Sequence, residues 1–315
     1  MSDFLHHLAL CAPLFLLVFI GWSLGKTKVF DAVVGRAVST FVFKLLMPVM
    51  LFHVLSTMSE MPAVDFRLLF AFFGSCCIVF FLGRAIGKRK FKQDSTGQVI
   101  MGMGGIFGND VQLGIPIMQV SLGAQALPTF SLLIVANVLV LWTWATACVE
   151  FGRTQGRIDA KKFCLSLSRV LTNPIVLGIM FGLLIGVSGW RVPLVIDQCA
   201  GLIARATPPM ALLAVGMGLS QHSIGASLRQ AGSITALKLV VQPALVFVLC
   251  TLIGINEVQT KAAVLLASLP VAINLYIMAT QFEAEEGTAS NAIFVSTFIS
   301  ALTVPLTLTL LEMGA

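Results

Sequence analysis

Charge is scarce in this chain. Asp, Glu, Lys and Arg make up only 11% of its 315 residues, roughly half the share found in soluble domains. That scarcity leaves no room for a soluble domain of ordinary size. Histidine is rare as well: His6, His7, His53 and His222 form neither an HExxH motif nor a cluster, which argues against a zinc site. The seven cysteines, Cys11, Cys76, Cys77, Cys148, Cys164, Cys199 and Cys250, are odd in number, contain no CxxC and fall mostly in apolar runs. They read as small buried hydrophobes, not as disulfides or metal ligands. There is no GxSxG and no DDxxD-like carboxylate pair, so no nucleophile–base set points to an enzyme. The formal charge of +6 sits in short loops and does not imply a nucleic-acid partner.

What the chain has instead is apolar length. Hydrophobic residues account for 57%, mean hydropathy is +0.96, and runs of about 20 residues, enough to cross a bilayer, recur throughout. Ten spans are expected, at residues 8–24, 37–55, 68–86, 98–120, 129–149, 174–187, 199–219, 234–253, 262–282 and 290–311. The sixth is short, with Trp190 as an interfacial anchor. Lys26 and Lys28 follow the first run instead of preceding it, the reverse of a secretory signal, so that run is expected to be a true span. Loops after spans one, three, five and seven carry 14 of the 20 Lys and Arg residues, against 3 on the opposite side (Arg67, Arg191, Lys261). The positive-inside rule then places both termini outside, in a membrane expected to be the bacterial inner membrane.

The chain also repeats itself at an offset of 161. Pro13 recurs as Pro174, Gly21 as Gly182, Gly25 as Gly186, Lys44 as Arg205, Pro48 as Pro209 and Gln98 as Gln259. The expected organisation is a first five-span repeat at 1–151, a basic cytoplasmic linker at 152–169 and a second repeat at 170–315. An odd number of crossings per copy inverts the second against the first, a common plan for secondary transporters.

Spans four and nine, the fourth in each repeat, do not read as plain helices. Span four holds Gly102, Gly104, Gly105 and Gly108 with Asn109, Asp110, Gln112 and Pro116. Span nine holds Pro270, Asn274 and Tyr276, the one tyrosine of the chain. Freed backbone groups in hydrocarbon cost several kcal/mol unless satisfied. Either these are proline kinks in a packed bundle, or inverted broken helices cross near the midplane and aim their N-termini at one anion. Matched breaks in both copies favour the second reading.

Three charges lie inside spans with alternatives open. Asp110, the one carboxylate near mid-depth, would bind Na⁺, shuttle a proton, pair with a cation or cap a helix end. Lys44 and Arg205 each stand four residues before a matched proline; they would attract an anion, pair with Asp110, satisfy carbonyls or reach the interface. Lys238 has no counterpart and is expected to snorkel.

With Gly108-Asn109 and Gly114-Ile115-Pro116, Thr207-Pro208-Pro209-Met210-Ala211-Leu212-Leu213 with Gly216-Met217, Pro270-Val271-Ala272-Ile273-Asn274, and Ser296-Thr297 with Ser300 and Thr303-Val304-Pro305-Leu306, the sequence resembles the auxin efflux carrier family, including its bacterial malonate and malate permease-like members. The resemblance implies an all-α membrane protein of ten transmembrane helices, two inverted five-helix repeats with crossed broken helices, like bile-acid symporters and crossover sodium/proton antiporters. It implies a homodimer scaffold of helices 1, 2, 6 and 7 and a transport domain of helices 3–5 and 8–10. It maps the crossover residues to Asn109, Pro116, Pro270 and Asn274 and a support-site lysine to Lys44. Asp110 departs from the uncharged residue expected after that asparagine.

The expected function is transport of a small organic anion, a mono- or dicarboxylate, by alternating access. Asn109, Gln112, Pro116, Pro270, Asn274 and Tyr276 would form the substrate site, and Asp110, Lys44 and Arg205 an ion-coupling or support site. No cofactor or metal is expected beyond Na⁺ or H⁺ as coupling ion. The alternatives are a cation antiporter using Asp110 and a solute sensor that does not transport. The topology makes one prediction: alkaline phosphatase fused to the C terminus should be active at the outer face, and a cytoplasmic location of the reporter would overturn the assignment.

Overall fold

The computed structural model describes residues 2–56, 65–153, 172, 174–221 and 227–313. Beyond Arg153, the expected linker lies outside the described residues. In chain order the helices are α1 Ser2–Lys26, α2 Ala32–Ser56, α3 Phe66–Lys90, α4 Ser95–Gly104, α5 Ile115–Ser121, α6 Leu127–Arg153, α7 Pro174–Ser188, α8 Leu194–Ser220, α9 Leu228–Ile253, α10 Glu257–Ser268, α11 Ile273–Gln281 and α12 Glu286–Met313. Among the described residues six helices are long and apolar enough to cross a membrane: α1, α2, α3, α8, α9 and α12. α7 is a shorter apolar helix that stops at Ser188, just before Gly189 in the left-handed region and the exposed Trp190. The segments expected as spans four and nine are each two short helices with an interruption, α4–α5 and α10–α11.

Helix starts are fixed by side chains that accept orphan N–H groups. Asp31 caps α2 at Val33 and Val34, Asp65 caps α3 at Arg67, Asp94 caps α4 at Gly97, and Asn256 caps α10 at Gln259. Glycines then let backbones touch where apolar side chains alone give no preference for protein over lipid. A Cβ on Gly21 of α1 would stand 2.2 Å from the Leu213 carbonyl oxygen of α8, and one on Gly216 of α8 would stand 2.0 Å from that of Val18. α7 packs on α2 in the same way: a Cβ on Gly178 would lie 2.4 Å from the Pro48 carbonyl and one on Gly182 2.9 Å from that of Phe52.

Three π turns interrupt otherwise regular helix: Val42–Leu46 in α2, Asp110–Gly114 ahead of α5, and Leu237–Val241 in α9. A proline follows each one two residues on, at Pro48, Pro116 and Pro243. Proline lacks the N–H that residue i−4 would receive, and its ring clashes with that carbonyl. Widening the preceding turn moves the carbonyl aside and rotates the side chains that the turn carries. In α8, where Pro208 and Pro209 follow no such turn, the Thr207 hydroxyl donates to the Ile203 carbonyl (2.7 Å) and lies 3.2 Å from that of Leu46.

Replacing Gly216 with Leu should separate α1 from α8. Overpacking costs about 1–3 kcal/mol, more where backbone is the obstacle, so the melting temperature in detergent should fall clearly below that of a control substitution at Gly218, which has open space around it.

Candidate functional site

The interruptions of the two broken helices meet. α4 ends at Gly104 and α10 at Ser268, and the extended residues that follow lie antiparallel, with Gly108 bridged to Val271. The Asn109 N–H donates to the Pro270 carbonyl at 2.8 Å and the Ala272 N–H to the Phe107 carbonyl at 3.0 Å. The Val271 N–H donates to the Ser296 hydroxyl of α12 at 3.0 Å. Each half-helix also packs on the other broken pair: α4 contacts α11, and α10 contacts the π turn that opens α5.

The sequence reading took glycine density, polar side chains and Pro116 together as the mark of the break in span four; Pro116 itself lies past the break, in the helical stretch that the π turn opens at Asp110. The glycines before it are points of close packing. A Cβ on Gly102 would meet the Phe80 carbonyl at 2.8 Å, on Gly104 the Ile234 side chain at 2.7 Å, and on Gly105 that of Val79 at 2.9 Å. Pro270, by contrast, lies in the extended stretch itself and keeps its carbonyl for Asn109.

A cavity of about 720 Å³ reaches from this crossing to the first turns of α2 and the end of α8. Asn109, Gln112 and Tyr276 line it, as does Lys44. Pro116 and Pro270 are buried, Asn274 is half-buried, and none of these three borders the cavity. Arg205 is exposed and also stands off it. Arg36 borders the cavity too, with the hydroxyls of Ser39, Thr40 and Thr297 nearby. The sequence reading counted Arg36 only as a loop charge. A signal was present: Arg36, Thr40 and Lys44 are spaced four apart and share one helix face. Among the described residues the lining holds two cations, Arg36 and Lys44, and no carboxylate.

Asp110 does not border that cavity. It is 6% exposed and accepts a hydrogen bond from the Asn137 amide of α6, Nδ2 to Oδ2, at 2.6 Å. Its Oδ1 has no hydrogen-bond partner, and its side chain caps no helix end. The cation facing it is Lys238, not Lys44 or Arg205. Lys238, expected to snorkel, is 1% exposed. Its Nζ donates to Gln242 Oε1 at 2.7 Å and to the Ala267 carbonyl at 2.6 Å. A Cβ on Gly108 would stand 2.4 Å from Asp110 Oδ1 and 3.1 Å from Lys238 Nζ; by those two distances the charges are no more than about 5.5 Å apart. Burial forbids snorkelling here, because the π turn of α9 points the lysine into the bundle and the α10 C-terminus supplies a carbonyl.

The sequence matches the model of the membrane transport protein family over residues 6–308. The chain belongs to this family. Membership bears out the resemblance to the auxin efflux carriers. The chain is 26% identical to a protein named "Putative malonate transporter" of Rhizobium meliloti, across 97% of this chain and 96% of the relative. It is 24% identical to an uncharacterized transporter of Escherichia coli, across 93% and 94%, and 22% identical to one of Methanocaldococcus jannaschii, across 92% and 94%. These relatives are transporters by name, and the chain is a membrane transporter, not an enzyme.

Gln242 holds Lys238 through its oxygen, and its amide lies 3.5 Å from both Cys76 Sγ and the Ile106 carbonyl. Gln242→Leu should leave the ammonium short of an acceptor and lower stability by about 1.5–3 kcal/mol, the worth of a hydrogen bond to a charged group. Thermal unfolding in detergent measures this, with Gln242→Glu expected to retain the contact.

Proposed function

We propose that the protein is a secondary transporter of a small organic anion, a mono- or dicarboxylate, and that the 720 Å³ cavity is its substrate site. The carrying observation is the charge of the lining: two cations, several neutral hydrogen-bonding groups and no carboxylate among the described residues. Arginine offers a planar fork suited to a carboxylate and lysine a compact point charge. Asn109, Gln112 and Tyr276 provide neutral donors at the inner end. The relative named for malonate is consistent with such a substrate.

The architecture in this reading is ten spans in two inverted five-helix repeats, with scaffold helices one, two, six and seven carrying a transport unit of spans three to five and eight to ten. Two hydrogen bonds support the inversion. Asn109 donates to Pro270, and Thr207 donates to Leu46; each pair is separated by the repeat offset of 161. A residue that touches its own counterpart lies on the two-fold axis relating the copies. The packing follows the same exchange, α1 against α8 and α7 against α2. The cavity opens beside the ends of α2 and α8, the side of the basic loops, which makes this conformation inward-facing. Alternating access then carries the site across as the transport unit moves. The protein works in the bacterial inner membrane with both termini outside, as a homodimer.

Uptake of radiolabelled malonate into proteoliposomes tests the site. Arg36→Gln and Lys44→Gln should each raise KM, about tenfold or more for a lost charge-assisted contact, while leaving the melting temperature near wild type. Carboxylate flux with unchanged KM in the double variant would remove the cavity from the proposal.

A further inference from the structure

Resting on the anion-transport reading, we propose that Asp110 and Lys238 form a proton-coupling site, in which Asp110 takes up one proton for each anion bound in the neighbouring cavity. The geometry carries this. Asp110 follows Asn109, which lines the cavity, yet its own side chain is buried and does not border it. One carboxylate oxygen is held by Asn137 and the other has no hydrogen-bond partner. Lys238 also reaches the place a Gly108 Cβ would take, with two acceptors of its own, Gln242 Oε1 and the Ala267 carbonyl. Gly108 is the residue that permits this approach, because a side chain there would run into both groups.

The step is a protonation and nothing more. A proton from water bonds to Asp110 Oδ1, the carboxylate becomes a neutral carboxyl, and the same O–H bond breaks when the proton leaves on the other side. The titratable groups facing Asp110 are Lys238 of α9 and Cys76 of α3. Asn137 of α6 holds Asp110, and Gln242 of α9 and the Ala267 carbonyl hold Lys238; among the described residues these contacts add no further charge. A metal cation would need several oxygen ligands and would meet the repulsion of a nearby ammonium. A proton needs one lone pair, and Oδ1 has it. Coupling follows from adjacency: an anion beside Asn109 favours the neutral form of Asp110, and by linkage the protonated Asp110 favours the anion equally.

The fold does not require the cluster. At the 161-residue offset, Asp110, Lys238, Asn137 and Gln242 correspond to Val271, Cys77, Phe298 and Phe81, and the neighbours of Cys77 are Cys76 and Ile78. Each copy supplies two members of the polar set, and at none of the four positions does the other copy carry a charge or an amide.

The experiment uses the full chain in proteoliposomes with malonate as probe and the membrane potential clamped by valinomycin and equal potassium. One pH unit, acid outside, should raise steady-state accumulation about tenfold if one proton accompanies each anion. Asp110→Asn should lose that dependence, and Asp110→Glu should restore it with a displaced pH profile. Replacing sodium with choline should change nothing. Infrared difference spectra across a pH step, without substrate, should show a protonated-carboxyl band that Asp110→Asn removes. Wild-type flux indifferent to the pH gradient, a sodium gradient that drives accumulation, or full gradient dependence in Asp110→Asn would overturn the proposal. If the wild type moves no malonate while the Asp110 band is intact, the chosen substrate class falls and Asp110 is upheld as a proton site.

Discussion

Backbone hydrogen bonding is the constraint on which this molecule depends. In hydrocarbon an interrupted helix exposes donors and acceptors that water cannot satisfy, at several kcal/mol each. Here each interruption is the other's remedy: Asn109 donates to Pro270, Ala272 donates to Phe107, and Ser296 takes the Val271 N–H left between them. Neither break is tolerable alone, so the two halves of the chain are locked together where they are least regular. Polar side chains and a cavity can exist at this depth only because the backbone beside them is already satisfied.

The π turns extend the same logic. Each is a local answer to a proline two residues on, and each carries a polar side chain that a regular helix would aim elsewhere. The turn in α2 holds Lys44, the one before α5 holds Asp110 and Gln112, and the one in α9 holds Lys238. A device that avoids a steric clash thus also supplies most of the charge at the centre of the molecule. The prolines matter less as breakers than as the reason for these three wide turns.

This explains what could be read from the sequence and what could not. The repeat, the apolar helices and the two interruptions were legible because glycine, proline and apolar length act locally. Asn109, Gln112, Tyr276 and Lys44 reached the cavity because the residues around them dictate where the chain breaks or bends. Lys238 was misread because a lysine in an apolar run reaches the interface by default, and only the turn in α9 with the end of α10 makes a buried position tenable. Asn274 was taken from the family resemblance; the residue that matches Asn109 at the repeat offset is Pro270. Asn274 is the second residue of α11 and stands clear of the cavity. Arg36 was hidden by its place in the first turns of α2, where its charge looked like a loop charge.

The proposed duplicated scaffold would offer substrate to either side, but symmetry alone gives no reason for net movement. Two equivalent conformations of equal energy let a solute equilibrate and do no more. Accumulation requires that one state change its affinity through an event tied to a second gradient. A polar cluster whose equivalent positions in the repeat are apolar is a place where that event can occur without disturbing the symmetric packing of α1 on α8 and α7 on α2. The cluster also begins one residue from the cavity lining, so its charge state and that of a bound solute cannot be independent. In the proposed reading, the departure from symmetry at Asp110 and Lys238 is therefore the feature that would separate a transporter able to accumulate its solute from a passive alternating pore.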